Sequence, residues 1–246
     1  MNKKRFLLQF FASIIFLQFT VHAQTDSSTA LWTIDRLDNI GGYLTTLLSN
    51  DTSGLASKLP VILNTEQGKA AYFNGKNDGF LVKGSPLCNT ATWTLEVIFK
   101  PDSSYNSYNL EQRFLHIAQN STAAERLLFE IRLLKIQKWA FDLYLSSGKR
   151  SLVLLDTIHI ATLHTANQWH HVAVVYENKR ATTYIDGVRE LSDTISFHLP
   201  VNTKISIGAR QNPRSWFKGA IRLIKATQRA LTPSEFLHIP AQTETK

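Results

Sequence analysis

Along most of this chain hydrophobic and polar side chains alternate with a period of two, in short β-branched and aromatic runs broken by turn residues, a pattern that predicts half-buried strands. Trp93 to Lys100 places Leu95, Val97 and Phe99 on one face and Thr94, Glu96 and Ile98 on the other. The series continues through Phe114–Ala118, Arg126–Leu133, Trp139–Leu145, Ser151–Leu155, His170–Tyr176, Thr182–Ile185, Lys204–Ala209 and Phe217–Ile224. About 10 to 13 strands are more than one flat sheet holds before it splits into two packed layers. The polar turn Glu177-Asn178-Lys179-Arg180 and the dipeptide Asp186-Gly187 predict antiparallel hairpins. Helix is nearly absent: Thr232-Pro233-Ser234-Glu235 has a Thr cap, Pro at the first helical position and Glu three residues after the cap, so one short turn is expected there, running through Leu237.

The N-terminus departs from this pattern. Lys3, Lys4 and Arg5 precede Phe6 to Val21, a run without a charged side chain, and Val21-His22-Ala23 offers small residues at a cleavage site. Residues 1–23 therefore read as a secretory signal peptide, too short and too polar for a spanning helix of about 20 apolar residues. The remaining divisions are a polar leader at 24–30, one domain over 31–240 and a polar tail at 241–246. The expected location is secreted or periplasmic, with no transmembrane anchor after cleavage.

Composition narrows the classes. The 246 residues carry 27 Lys and Arg against 19 Asp and Glu, and three of those positives leave with the signal peptide, so the net charge falls from +8 to +5. The rest are scattered rather than clustered, which argues against nucleic acid as a partner. A hydrophobic content of 43% excludes disorder. Cys88 is the only cysteine, so no intrachain disulfide exists and packing must supply the stability of an exported chain.

Several segments carry a resemblance: Ala70-Ala71-Tyr72-Phe73-Asn74-Gly75, Asp78-Gly79-Phe80, Trp93-Thr94-Leu95-Glu96-Val97, Trp169 to Tyr176, Tyr184-Ile185-Asp186-Gly187, Ile207-Gly208-Ala209-Arg210 and Phe217 to Ile221. In order and spacing they resemble the laminin G-like, concanavalin A-type lectin/glucanase superfamily over most of residues 31–237. Glu111 to His116 and Phe129 to Arg132 are similar to a subset of exported bacterial and fungal members. The resemblance implies an all-β, two-sheet antiparallel jelly-roll sandwich and a polysaccharide or glycan as partner. It also implies calcium at a loop, although no cofactor is required. The Glu-x-Asp-x-x-Glu strand of the superfamily's glucanases is absent from this sequence.

Alternation assigns the polar residues to faces. Glu96, Arg113, His116, Glu130, Arg132, Asp142 and Tyr144 fall opposite the apolar residues of their strands, and would share one surface if those strands pair. Three readings of that surface are open. It could be an ion-pair lattice of ordinary cross-strand contacts, a non-catalytic groove in which Arg, carboxylates and Tyr144 hold a glycan, or a hydrolase or lyase site using Glu96, Glu130, Arg113, His116 and Tyr144. A protein-interaction or adhesion module is a further alternative, since fold does not fix activity. His170 and His171 point to opposite faces, His171 inward and His170 toward function. Arg210, Asn212, Arg214 and Trp216 form an exposed-looking loop suited to ligand contact. Asn74, Asn77 and Asp78 offer hard oxygens to calcium, although a tight turn explains them equally well. If the export reading holds, N-terminal sequencing of the protein recovered outside the cytoplasm is expected to start at Gln24; a start at Met1 would refute it.

Overall fold

The computed structural model describes residues 28–48 and 57–239. The signal peptide, most of the leader and the tail lie outside these residues, while Thr29 and Ala30 of the leader already belong to the first strand. Among the described residues there are 17 strands: β1 (Thr29–Thr33), β2 (Asn39–Ile40), β3 (Tyr43–Leu47), β4 (Val61–Thr65), β5 (Gly68–Asn74), β6 (Phe80–Val82), β7 (Trp93–Pro101), β8 (Glu111–Ala118), β9 (Arg126–Leu133), β10 (Lys138–Ser147), β11 (Arg150–Leu155), β12 (His164–Thr165), β13 (His170–Glu177), β14 (Arg180–Ile185), β15 (Val188–Thr194), β16 (Lys204–Ile207) and β17 (Lys218–Thr227). The count exceeds the expectation because several strands, β2 and β12 among them, are too short to show a period of two.

The strands form the expected two-sheet antiparallel sandwich. One sheet has the order β15-β14-β13-β7-β17-β5-β4, with β1 also paired to β17; the other has the order β11-β10-β9-β8-β16-β6-β3-β2, with β12 paired to β10. The hairpins fall at the predicted turns. Asn178 and Lys179 carry β13 into β14, and Asp186 and Gly187 carry β14 into β15, all four with positive φ as the right-handed strand twist requires. The only helical pieces among the described residues are two 3-10 turns, at Ile160–Thr162 and at Pro233–Glu235, the second lying where the sequence predicts a turn through Leu237 but ending at Glu235 because Phe236 is extended. At the second, the Thr232 N–H donates to the Glu235 carboxylate at 2.8 Å, the reciprocal half of a capping box. No helix among the described residues is long and apolar enough to cross a membrane.

The core lies between the sheets and is largely aromatic. Phe99 of β7 stacks on Phe114 of β8 with ring centroids 4.7 Å apart. Phe114 in turn meets Phe129 at 5.9 Å, Phe141 at 6.4 Å and Phe217 at 5.7 Å, so one ring joins residues of both sheets. Phe114 sits in a β-bulge: Arg113 pairs with Glu130 and Leu115 with Phe129, leaving Phe114 without a partner on β9. The extra residue lets Phe114 and Leu115 both enter the core while Arg113 and His116 keep to the outer face. On unfolding in urea, Phe114→Ala is expected to lose about 3–5 kcal/mol of stability, whereas Val153→Ala, at a side chain 52% exposed, changes it by less than about 0.5 kcal/mol.

Candidate functional site

The outer face of the second sheet carries a cavity of about 340 Å³ lined by Glu111, Arg113, Arg126, Leu128, Glu130, Arg132, Asp142, Tyr144, Val153 and Arg210. Strand register builds it in rows. Arg113, Glu130 and Asp142 lie opposite one another across β8, β9 and β10. The next row runs His116, Leu128, Tyr144 and Val153, reaching β11. Five of the residues expected to share a surface, Arg113, Glu130, Arg132, Asp142 and Tyr144, thus line one cavity, with His116 buried beside them.

The carboxylates here are engaged. Glu130 and Asp142 face each other across the strands, an arrangement of like charges that is unfavourable unless neutralised. The Arg113 Nε donates to Glu130 at 2.6 Å and the Arg132 Nε donates to Asp142 at 2.8 Å. Glu111 closes the chain, one oxygen accepting from Arg113 and the other from Arg132. Burial pushes the Glu130 and Asp142 carboxyls above the usual carboxylate range against the pull of those arginines.

The donors are in excess. Arg126 lies over the Tyr144 ring, 5.5 Å from its centroid, and among the described residues neither its side chain nor that of Arg210 makes an ion pair or hydrogen bond. The Nε of each is buried without an acceptor. Burial, with Arg214, Arg126 and Arg113 nearby, pushes the Arg210 guanidinium down to about 10. His116 is fully buried, and its Nδ1 accepts from the Gln211 N–H at 3.1 Å, which puts the ring proton of the neutral form on Nε2, where no partner is found. Burial, then Arg210, Arg126 and Arg113, depress this imidazole to about 3. A buried donor left without an acceptor costs roughly 1–3 kcal/mol.

The loop over this face is held from below. Gly208 has φ +86°, and a Cβ there would come within 2.2 Å of the Phe73 ring, so only glycine lets the chain leave β16 at this angle. Ser215 then accepts from Arg113 through its carbonyl at 2.8 Å and through its hydroxyl. Trp216 is not the ligand contact expected of this loop: it is 7% exposed and packs in a cluster with Leu48 and Ala209. Asn212 turns its Oδ1 inward, where it is buried and unpartnered.

Other expectations are corrected by strand order. Glu96 lies on β7 in the first sheet, on its outer face, and so is not part of the cavity. It is fully buried, accepts from the Leu237 N–H at 2.6 Å, and pairs with Lys225 at 2.8 Å and His171 at 3.1 Å. Burial, the largest influence, would raise its carboxyl, but these partners together hold it below its usual value. Glu96 is therefore a clamp for the C-terminal segment. The two histidines are reversed. His170 packs inward against Trp139, with centroids 5.2 Å apart, and its ring nitrogens contact Asp186 and the Thr165 carbonyl. His171 faces outward, into a second cavity of about 570 Å³ lined in part by Trp169, Phe236 and Leu237.

The loop expected to offer oxygens to calcium is a hydrogen-bonded turn. Asn74 Oδ1 accepts the backbone N–H groups of Lys76 and Asn77, Asn77 Oδ1 accepts from Asn74 Nδ2, and Asp78 Oδ2 accepts the Asn74 N–H. Those oxygens are spent on the turn, and no group of three His, Cys, Asp or Glu residues able to hold a metal occurs among the described residues.

Alternation also puts Arg126, two residues before Leu128, on the outer face of β9. Glu111 and Val153 carry no such signal, because the runs containing them are not regular enough to assign a face without their neighbours.

The concanavalin A-like lectin/glucanases superfamily model matches residues 60–236. No curated protein matches the chain. Among solved structures, the chain is similar to domain 4 of AbnA, an extracellular arabinanase from Geobacillus stearothermophilus solved in complex with arabinotriose (21% identity, TM-score 0.60, covering 84% of this chain and 94% of that one). It is similar also to the botulinum neurotoxin serotype D binding domain (14%, 0.56, 85% and 49%) and to the NanB sialidase from Streptococcus pneumoniae (17%, 0.51, 72% and 28%). The chain spans half or less of these last two proteins, and at such identities the likeness is one of fold.

A histidine whose pKa falls on folding binds fewer protons in the native state than in the unfolded one, so its contribution is present above about 6.5 and lost as the pH drops toward about 3. The urea-unfolding free energy is expected to fall by on the order of 2 kcal/mol between pH 6.5 and 5 through this group. His116→Asn, whose Oδ1 can accept the Gln211 N–H, should show a shallower decline; an identical slope in both proteins would remove His116 from the account.

Proposed function

The chain belongs to the concanavalin A-like lectin/glucanase superfamily, and from that premise we propose that it is an exported, non-catalytic carbohydrate-binding domain whose glycan lies on the outer face of the second sheet. The observation that carries this reading is the cavity in which the cross-strand row Leu128, Tyr144 and Val153 sets an aromatic and aliphatic floor beside Arg126 and Arg210, whose guanidinium groups have no acceptor among the described residues. Apolar surface with a few convergent donors is the usual make-up of a small-ligand site, and sugars present both C–H faces and hydroxyl acceptors to it. A structural neighbour solved with arabinotriose is in keeping with a glycan as partner. Export rests on the pattern of residues 1–23.

The absence of catalysis is argued from the carboxylates. Glycoside hydrolysis commonly needs two carboxyl groups flanking the bond, yet Glu96 and Glu130 stand on the outer faces of different sheets. Glu111, Glu130 and Asp142 are committed to Arg113 and Arg132.

Affinity electrophoresis of the purified protein through a panel of soluble glycans is expected to show retardation by at least one of them, weakened by roughly tenfold in Tyr144→Ala, as truncation of a central aromatic contact does. New reducing ends or unsaturated uronate after long incubation would overturn the non-catalytic reading. Retardation by no glycan, with capture of a protein partner that survives substitution of the cavity, would overturn the carbohydrate reading in favour of an interaction module.

A further inference from the structure

The second-sheet cavity holds more positive charge than its own carboxylates neutralise. Four arginines line it, Arg113, Arg126, Arg132 and Arg210, against three carboxylates, Glu111, Glu130 and Asp142. The pairing is uneven: all three carboxylates are taken by Arg113 and Arg132, and among the described residues Arg126 and Arg210 have no anion within ion-pair distance. Arg214 adds a further cation close enough to perturb both Arg210 and Arg113. The neighbouring His116 is fully buried outside the lining and adds no negative charge. A site with spare donors, spare positive charge and no spare carboxylate is complementary to an anion, and two unpaired guanidinium groups in a partly desolvated cavity repel one another until one arrives.

Resting on the carbohydrate reading above, we propose that the cavity takes an acidic glycan, with Arg126 and Arg210 clamping an anionic substituent, a uronate carboxylate or a sulfate ester, beside the Tyr144 ring. A volume of about 340 Å³ is at the lower end for small-ligand sites and suits one charged sugar unit, the remainder of the chain running out over the sheet. Arg113 and Arg132 hold the walls in place through their carboxylates and are positioning residues. The wall they form gives the site a boundary of fixed, neutralised charge, so the clamp is confined to the Arg126 and Arg210 side.

The test is titration calorimetry near physiological salt with three probes: polygalacturonate, dextran sulfate and neutral arabinan. One of the two polyanions is expected to bind at least tenfold more tightly than arabinan, and which one it is separates carboxylate from sulfate. R126Q/R210Q should lose about tenfold or more on that polyanion, the equivalent of one charged hydrogen bond or more, and leave any arabinan binding unchanged. K69Q/K179Q removes the same charge at exposed sites on the first sheet and is expected to lose less than twofold. Equal losses in the two double variants would mean diffuse attraction and overturn the clamp, as would arabinan binding as tightly as the polyanions. Binding to none of the three probes, nor to any glycan of the panel above, would instead overturn the carbohydrate reading itself. Should R126Q/R210Q fail to fold, R210Q alone is read by the same criteria.

Discussion

The stacking of Phe99 on Phe114 across the two sheets is the contact on which the rest of this structure depends. With a single cysteine the sandwich has no covalent staple, so its two layers are held by what their inner faces bury. Phe114 reaches that interface only because β8 bulges there, placing two consecutive residues in the core. The same irregularity resets the alternation of the strand, so Arg113 and His116 emerge together on the outer face, three residues apart where strict alternation would have separated them. Packing in the core and charge on the surface are therefore set by one extra residue.

From Arg113 outward the electrostatics follow. Glu130 and Asp142 stand opposite each other and are nearly sealed from water, 3% and 2% exposed, so each needs a cation in contact. Arg113 and Arg132 supply it, with Glu111 tying the two arginines together. In this lattice each of the three carboxylates is paired with an arginine. The groups outside the lattice are Arg126, Arg210 and His116, whose Nε, Nε and Nε2 atoms have no hydrogen-bond partner among the described residues. The lattice reading of the sequence describes the carboxylate half of the cavity; the groove reading remains a proposal and concerns the arginine half.

Which side of a strand each residue occupies was legible from the period of two, because core packing enforces it residue by residue. Leu127, Phe129 and Ile131 are buried in the core while Glu130 and Arg132 face outward, and Phe141 and Leu143 oppose Asp142 and Tyr144. Which sheet a strand joins was not legible, because it depends on pairings between distant segments. Glu96 has the same alternating environment as Glu130, yet β7 pairs with β13 and β17, and the two carboxylates end on opposite sides of the sandwich. His170 and His171 show the same limit. Their opposition was readable, but which one faces the core follows from the register with β7, where His170 pairs with the core residue Phe99. Trp216 looked exposed in a run of polar residues, and only the fold of the loop back onto Leu48 and Ala209 buries it.

The two outer faces differ, and the difference explains why the charged cavity falls where it does. On the first sheet the segment after β17 folds back, with Leu231 and Phe236 packing on Ala173 and Val175, and Leu237 packing near Ile98, Trp169 and Leu223. Glu96 fixes that segment by its bond to the Leu237 N–H, with Lys225 compensating its buried charge. The outer residues that this segment covers include the apolar Ala173, Val175, Ile98 and Leu223 together with the paired Glu96, His171 and Lys225, and their partner is the chain itself. On the second sheet the covering loop, Gly208 to Phe217, is shorter and is anchored over β8 through Ser215 and Gln211, leaving β9 to β11 uncovered. A sheet face that has to remain in water stays soluble by carrying charge, and this one carries it as neutralised pairs with an arginine surplus at one end. The surplus is not needed for solubility, since the pairs and Tyr144 already make the face polar, and it places unsatisfied donors where burial makes them costly. An anionic partner would offset the unpaired positive charge of Arg126 and Arg210, which is why the proposed ligand is set at the arginine end of the face and not at the paired one.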